Sequence, residues 1–177
     1  VRPMPRVPSE ELAVSGVKMQ WLQTQVVLWM HQSKSAGILL FSTSRKALVL
    51  IQQLLLFSGV DSDQIGLYAG SVSRAQRDAT MALFQQAGSR LRILLITLSS
   101  GALGLNLTRG TIAVFIDPWY NPAVLHQAMK RIHRIGQTHV CHVYFLQTIM
   151  DGFNVDEWIQ TNADRKHDAT TAQMAAN

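Results

Sequence analysis

The sequence predicts an α/β fold: a parallel β-sheet flanked by helices on both faces, in three layers. Short apolar runs alternate with longer segments of helical periodicity along most of the chain. The short runs are apolar at nearly every position, which is typical of parallel strands covered by helices on both sides. Strands that alternate with helices indicate βαβ units.

The elements follow from these patterns in order. Ser73 and Gln76 form the S-x-x-Q pattern of a capping box, and Gly59 and Gly88 each follow a helical segment. Asn121 and Pro122 have the residue types of an N-cap and a first helical position. The predicted elements are a helix 17–32, a strand 38–42, a helix 45–58, a strand 65–69, a helix 73–86, a strand 91–97, a loop 98–110, a strand 112–116, a helix that contains 127–137, a strand 140–147 and a helix 153–166.

Length and composition limit the class of protein. A chain of 177 residues with 47% hydrophobic residues forms one domain, or one lobe of a larger machine. The net charge of +5 favours a polyanionic partner, although many basic proteins bind none. No apolar run is long enough to span a bilayer and no signal peptide is visible, so no membrane partner is expected. We expect a linker at 1–15, the lobe at 16–166 and a frayed polar tail at 167–177.

The unusual loops all follow predicted strands. Residues 42–44, 70–71, 97–108 and 117–121 are rich in hydroxyl side chains, glycine or asparagine. Because ligands of parallel sheets gather at the carboxyl ends of the strands, these loops predict one binding site at that edge. In the loop 97–108, glycines would let backbone N–H groups approach a phosphate, although an ordinary glycine turn fits as well.

The segment 127–137 carries the most distinctive charges. Read as a helix, it places Gln127, Arg131 and Arg134 within about 60° of one another. The opposite side carries apolar residues: Leu125, Ala128, Met129 and Ile132. Two guanidinium groups on one edge of a packed helix suit a polyphosphate, since they bind phosphate bidentately. A solvated basic face is the alternative.

Five motifs together resemble the C-terminal helicase lobe of the Swi/Snf-like ATPases of helicase superfamily two. They are ILLFSTS (38–44), YAGSVSRAQR (68–77), LLITLSSGALGLNLT (94–108), DPWYNPA (117–123) and QAMKRIHRIGQ (127–137). The resemblance covers roughly residues 16 to 160 and implies a RecA-like lobe. It implies a nuclear, ATP-driven translocase that acts on double-stranded DNA or nucleosomes in chromatin remodelling or DNA repair.

The resemblance also assigns roles by motif. Arg131 and Arg134 match the arginine fingers that act on ATP, and Gln127 opens the same motif. Coupling of nucleotide to DNA is implied for Gly101, Gly104 and Asn106. Contact with DNA is implied for Gly70, Ser71, Arg77, Trp119 and Tyr120.

The sequence departs from the family in two ways. Ser100-Gly101-Ala102 stands where Ala-Gly-Gly is usual, and Tyr120 stands where the family has Trp. The chain also lacks the G-x-x-x-x-G-K-[ST] phosphate loop and the Asp-Glu-x-His magnesium motif. We therefore expect half of an ATPase site, with ATP and Mg held by an N-terminal ATPase lobe that this chain does not contain. The alternative is a catalytically inactive nucleic-acid-binding or regulatory module with the same fold.

His139, Cys141 and His142 invite a metal-site interpretation. On a strand, His139 and Cys141 would share one face and His142 would point to the other. No second Cys/His group completes a set of four ligands. We therefore expect no metal site. Asp117 is expected to anchor a loop rather than to act as an acid or base.

Overall fold

The computed structural model describes residues 16–101, 105–118 and 122–148, together with Asp156, Ile159 and Thr161. The helices are α1 (Val17–Gln32), α2 (Arg45–Phe57), α3 (Arg74–Gln85), α4 (Leu98–Gly101) and α5 (Pro122–Ile132). The strands are β1 (Gly37–Ser42), β2 (Ile65–Tyr68), β3 (Ile93–Thr97), β4 (Gly110–Phe115) and β5 (His142–Phe145). No helix within these ranges is both long and apolar enough to cross a bilayer.

The strands form one five-stranded sheet in the order β2-β3-β1-β4-β5. Every pairing is parallel, with Leu40 of β1 opposite Leu95 of β3 on one side and Val114 of β4 on the other. β1, β2 and β3 are buried at every position, whereas β5 at the sheet edge is mostly exposed. The predicted α/β fold with a parallel sheet is therefore confirmed.

A hydrophobic core lies on each face of the sheet, because successive side chains of a strand point to opposite sides. On one face, Ile38 and Leu40 of β1 pack with Leu22 of α1 and Leu48 of α2. On the other face, Leu39 and Phe41 pack with Phe84 of α3, and with Ala128 and Ile132 of α5. The rings of Phe41, Phe115 and Phe145 stack across three neighbouring strands, at 4.8 and 5.0 Å between centroids. The structure therefore has the three layers that the sequence predicts.

Local sequence signals mark the starts and ends of helices where the sequence analysis expected them. Ser73 Oγ accepts a hydrogen bond from the Gln76 amide and so caps α3. Gly59 follows α2 with φ of 85°, a left-handed conformation that glycine adopts without steric cost. Asp61 and Gln64 form a further capping box, around the short 3-10 helix Ser62–Gln64, that the sequence analysis missed.

The bounds of several elements differ from the prediction, and Leu98–Gly101 of the predicted loop 98–110 form the short helix α4. β3 begins at Ile93 rather than at residue 91, and just before it Arg92 N donates to Gln64 O and Arg92 O accepts from Ile38 N. α5 ends at Ile132, so it does not extend through residues 133–137 as predicted. Most of the predicted last helix lies outside the described residues, although Asp156, Ile159 and Thr161 are helical.

Two arginines bind the ends of α1 and α3 at the amino edge of the sheet, the edge where the strands begin. Arg92 donates hydrogen bonds to the carbonyl groups of Met30, at 3.2 Å, and of Ser33, at the end of α1. Arg109 donates to the carbonyl of Phe84, in the last turn of α3, and to that of Leu91 at 2.9 Å. Carbonyl groups at a helix end lack partners within the helix, so each guanidinium acts as a C-terminal cap.

Candidate functional site

The carboxyl edge of the sheet, where the strands end, brings the predicted loops together. β1 ends at Ser42, β2 at Tyr68, β3 at Thr97 and β4 at Phe115. All four strands run in the same direction, so the loops that follow them lie along one edge. The strand order puts the loop after β2 beside the loop after β3, and the loop after β1 beside that after β4.

The loops after β2 and β3 are in near contact. A Cβ atom added to Gly70 would lie 3.6 Å from Ser100 Oγ, which is an ordinary van der Waals distance. Ser100 is itself held in place, since Thr97 Oγ1 donates a hydrogen bond of 2.9 Å to its hydroxyl and both side chains are buried. The structure therefore places Gly70, a residue expected to contact DNA, beside the Gly101 loop that was expected to couple ATP to DNA.

Asp117 joins the loops after β1 and β4. Its Oδ2 accepts hydrogen bonds from Ser42 Oγ at 2.5 Å, Thr43 N at 2.8 Å and Thr43 Oγ1 at 3.2 Å. A carboxylate that accepts hydrogen bonds from one backbone N–H and two hydroxyl groups holds these loops in position. This is the anchoring role that the sequence analysis expected of Asp117.

Arg77 occupies α3, directly after the loop that contains Gly70 and Ser71. Its guanidinium carbon lies 5.5 Å from the centroid of the Tyr68 ring, a cation–π distance. Its Nε is buried and has no hydrogen-bond partner in the part of the chain that the structure describes. Ser71 is exposed at the same edge. Tyr68 was not singled out from sequence, where its place at the end of an apolar strand gave no sign of contact with the arginine.

Arg131 lies near the end of α5, whose opposite side packs as predicted. Ala128 and Ile132 are buried, and Leu125 and Met129 contact the core. The carbonyl of Arg131 accepts a hydrogen bond of 3.0 Å from Leu107 N, which joins α5 to the loop after α4. The side chain of Arg131 is half-buried, and its Nε is buried without a hydrogen-bond partner among the described residues.

A buried, unpartnered N–H group costs free energy, so such groups are rare in folded proteins. An anion that accepted a hydrogen bond from Arg131 Nε would remove that cost. Gln127 is exposed on the same helix, one turn before Arg131. The residues of α5 therefore fit a phosphate group, on the evidence of this orphaned donor.

Arg134 does not lie on the helix, so the predicted helical row of Gln127, Arg131 and Arg134 is wrong. The last helical bond runs from His133 N to Met129 O, at 2.9 Å. Gly136 then takes a φ of 101°, and Gln137 Nε2 donates to Thr108 O and Gly110 O at 2.8 and 3.0 Å. These contacts turn the chain towards the start of β5 and leave Arg134 exposed in the turn.

The coupling loop is described in part. Gly101 ends α4, and Asn106 is exposed with its carbonyl bound by Gln85 Nε2. Gly104, Trp119 and Tyr120 lie outside the described residues. Among the described residues, no three His, Cys, Asp or Glu side chains are arranged to hold a metal ion.

Comparison with known proteins gives consistent matches. The family described as the helicase conserved C-terminal domain matches residues 17–136. The chain is 36% identical over 140 residues to the DNA repair protein RAD5A of Arabidopsis thaliana, covering 74% of this chain and 13% of that protein. It is 35% identical over 130 residues to a probable global transactivator of Orgyia pseudotsugata multicapsid polyhedrosis virus, covering 73% of this chain and 25% of that protein.

The fold also matches a solved structure, that of the C-terminal part of the Fun30 ATPase domain. The TM-score is 0.75 at 23% sequence identity, over 89% of this chain and 48% of the other. This likeness confirms the RecA-like fold that the resemblance implied. The chain thus spans only a small part of the curated relatives it matches, between 10% and 25% of their length.

Proposed function

The chain belongs to the family of the helicase conserved C-terminal domain, within the Swi/Snf-like ATPases, and we propose that it is the second lobe of an ATP-dependent double-stranded DNA translocase. Its role would be to supply arginine fingers to ATP and part of the track for DNA. Its relatives are named as DNA repair proteins. On that basis we propose a nuclear enzyme of DNA repair or chromatin remodelling, acting on DNA or nucleosomes.

The observation that carries this proposal is the state of Arg131. It lies on α5, its backbone is joined to the loop after α4, and its Nε is a buried donor for which the described part of the chain provides no acceptor. Arg134 is exposed two residues beyond the end of the helix and is free to approach a bound phosphate from a different direction. Gln127 would help to order the catalytic edge, one turn before Arg131.

ATP would be the substrate, and its hydrolysis supplies the free energy for movement along DNA. In this chain, Arg131 and Arg134 would stabilise negative charge that develops on the phosphate groups during hydrolysis. Magnesium would be held by the N-terminal lobe, and we assign this chain the role of charge stabilisation.

The DNA track would run along the carboxyl edge of the sheet. Gly70 lies beside Ser100, which places the loop after β2 next to α4, where Gly101 begins the coupling loop through Gly104 to Asn106. A shift of that loop would therefore move Gly70 and Ser71, and Arg77 next to them. Together with Trp119 and Tyr120, these groups would contact mainly phosphate and sugar, which predicts low sequence specificity.

The first test is kinetic and uses the two-lobed enzyme. Arg131→Ala and Arg134→Ala should each lower kcat by about 10³-fold, as for arginine fingers of other phosphoryl-transfer enzymes, with little change in ATP affinity. The double variant should be scarcely slower, because residues that act as a unit are not additive. Measurements are kcat, nucleotide affinity and melting temperature.

Arg90→Ala is the matched control, since Arg90 is exposed and pairs only with Asp61 and Asp63 among the contacts described for it. This variant should keep near-normal turnover. Normal turnover of both Arg131→Ala and Arg134→Ala would identify a basic surface without a catalytic role. If the unaltered two-lobed enzyme binds DNA but does not hydrolyse ATP, the inactive regulatory module is the correct alternative.

The second test uses the 177-residue chain itself and labelled duplex DNA. The chain should bind duplex in the micromolar range or more weakly, with affinity falling steeply as salt rises, because it holds only part of the track. Arg77→Ala should weaken binding to all sequences alike. Salt-independent binding, or a strong preference for one sequence, would contradict contacts led by phosphate.

A further inference from the structure

A cleft of about 950 Å³ lies at the amino edge of the sheet, away from the carboxyl ends of the strands. The loops that lead into β1, β3 and β5 form its walls, together with the beginning of β4. The volume falls within the range of about 300–1,000 Å³ that is typical of ligand pockets. None of the residues given a role in the proposed function lines it.

The cleft is basic. The formal positive charges of its lining are those of Lys34 and Arg109, His139 and His142 add imidazole rings, and none of its described lining residues is an aspartate or a glutamate. Lys34, His139 and His142 are exposed, so their polar groups are accessible to a ligand. A cleft lined by one sign of charge concentrates ligands of the opposite sign.

The charge of the wall is fixed by the fold. Arg109 is held by the carbonyl groups of Phe84, Leu91 and Ser89, and neighbouring Arg92 by those of Ala36, Met30 and Ser33. The described contacts give neither guanidinium a carboxylate partner. Burial lowers the pKa of both arginines, and the charge of Arg109 lowers that of Arg92 further. Arg109, which lines the cleft, would be stabilised by an anion there, and Arg92 is a second positive charge near it.

The cleft also has an apolar side. Trp29, Ile112 and Tyr144 line it, and the rings of Trp29 and Tyr144 lie 5.1 Å apart between centroids. Val140 adds an exposed aliphatic side chain at the same wall. A phosphodiester backbone would gain little from these groups. A peptide would place carboxylates on the cations and an apolar side chain on the aromatic wall.

We propose that this cleft binds an acidic peptide segment with an apolar side chain among its carboxylates. Such a segment would belong to a partner protein. The site would be independent of ATP and would leave the carboxyl edge open to DNA. It is a docking function separate from the proposed translocase chemistry.

The test measures fluorescence anisotropy of two labelled peptides with the 177-residue chain. One has a tryptophan flanked on each side by three glutamates, and the other replaces the glutamates by glutamines. The acidic peptide should bind at least about tenfold more tightly, and added salt should reduce the difference. Lys34→Glu with His139→Glu should weaken its binding by about tenfold or more, while Lys34→Arg should retain it.

Arg74→Glu is the matched control, because Arg74 is an exposed cation at the other edge, paired with Asp78. It should leave peptide binding unchanged. Circular dichroism checks that each variant is folded. Equal binding of the two peptides, insensitivity to the cleft variant, or displacement of the peptide by duplex DNA would each overturn the proposal. Failure of these results would leave the arginine-finger test untouched.

Discussion

The two edges of the sheet use arginine in opposite ways. At the amino edge, Arg92 and Arg109 donate to main-chain carbonyl groups and tie the ends of α1 and α3 to the sheet. Arg77, beside the carboxyl edge, and Arg131, near the end of α5, each have a buried Nε for which the described residues provide no hydrogen-bond acceptor. Arginines whose donors are occupied by carbonyl groups stabilise the fold and can attract an anion only through their charge, whereas those with an unoccupied donor can also hydrogen-bond it. The four arginines carry the same formal charge, so the state of their donors distinguishes arginines with a structural role from those with a functional one.

The strongest test of this comparison replaces one arginine at each edge by alanine. Arg92→Ala should lower the free energy of unfolding by about 2 to 4 kcal/mol, because it removes several charge-assisted hydrogen bonds and leaves buried carbonyl groups unpaired. Arg77→Ala should change it by less than about 1 kcal/mol, since the Nε that it removes has no acceptor. Urea unfolding of both variants measures the difference, and equal losses would show that the distinction between the edges is wrong.

Glycine sharpens the same comparison through packing. A Cβ on Gly37, at the amino edge, would lie 2.5 Å from Arg109 O and 3.0 Å from Phe84 Cζ, so the backbone would have to move. Gly37→Ala should therefore destabilise the protein by about 1 to 3 kcal/mol. Gly70→Ala, whose new methyl would meet Ser100 Oγ at an ordinary distance, should leave stability nearly unchanged and affect DNA binding instead. Thermal melts and duplex titrations of both variants distinguish these outcomes.

The smallest expected effect concerns a paired charge near the carboxyl edge. Asp156 pairs with Lys18, which also donates to Ile116 O at 3.3 Å after β4. Burial alone would raise the pKa of Asp156, but hydrogen bonds from Lys18 and Thr148 lower it overall. The resulting stability is present above the ordinary pKa of 3.8 and is lost as pH falls through the lower folded value.

Acid titration of stability should therefore show a loss of about 1 kcal/mol or less from this group below about pH 4. Lys18→Met removes the main partner and should flatten the curve in that window. An unchanged curve for this variant would mean that the other donors to Asp156 hold its charge without Lys18.

Sequence reasoning found the elements of the fold because their signals are local. The apolar runs marked the strands, and the capping pattern of Ser73 and Gln76 marked the start of α3. The order of the strands and the role of Arg92 did not follow, because both depend on contacts between residues far apart in the chain. Arg92 looked like part of a strand, since nothing near it in sequence shows the carbonyl groups that it binds.

The candidate site was predicted less completely for the same reason. Placement of the loops at one edge follows from parallel strands, and it was found. The position of Arg134 was missed because helical periodicity continues past Ile132, whereas Gln137 binds the start of β4 and turns the chain away. A glutamine side chain that binds residues far from it in the chain gives no recognisable pattern in the nearby sequence.

The central position of β1 has a consequence for how the chain is made. Its partners β3 and β4 both follow it in sequence. Besides β3, the strand β2 and three α-helices lie between β1 and β4. While the polypeptide grows, β1 therefore emerges as a fully apolar segment with neither neighbour available. Pairing must wait for residues synthesised much later, and such long loop closures make folding slow. We expect nascent chains that stop before β4 to need chaperone protection, even though every element they contain is correctly encoded.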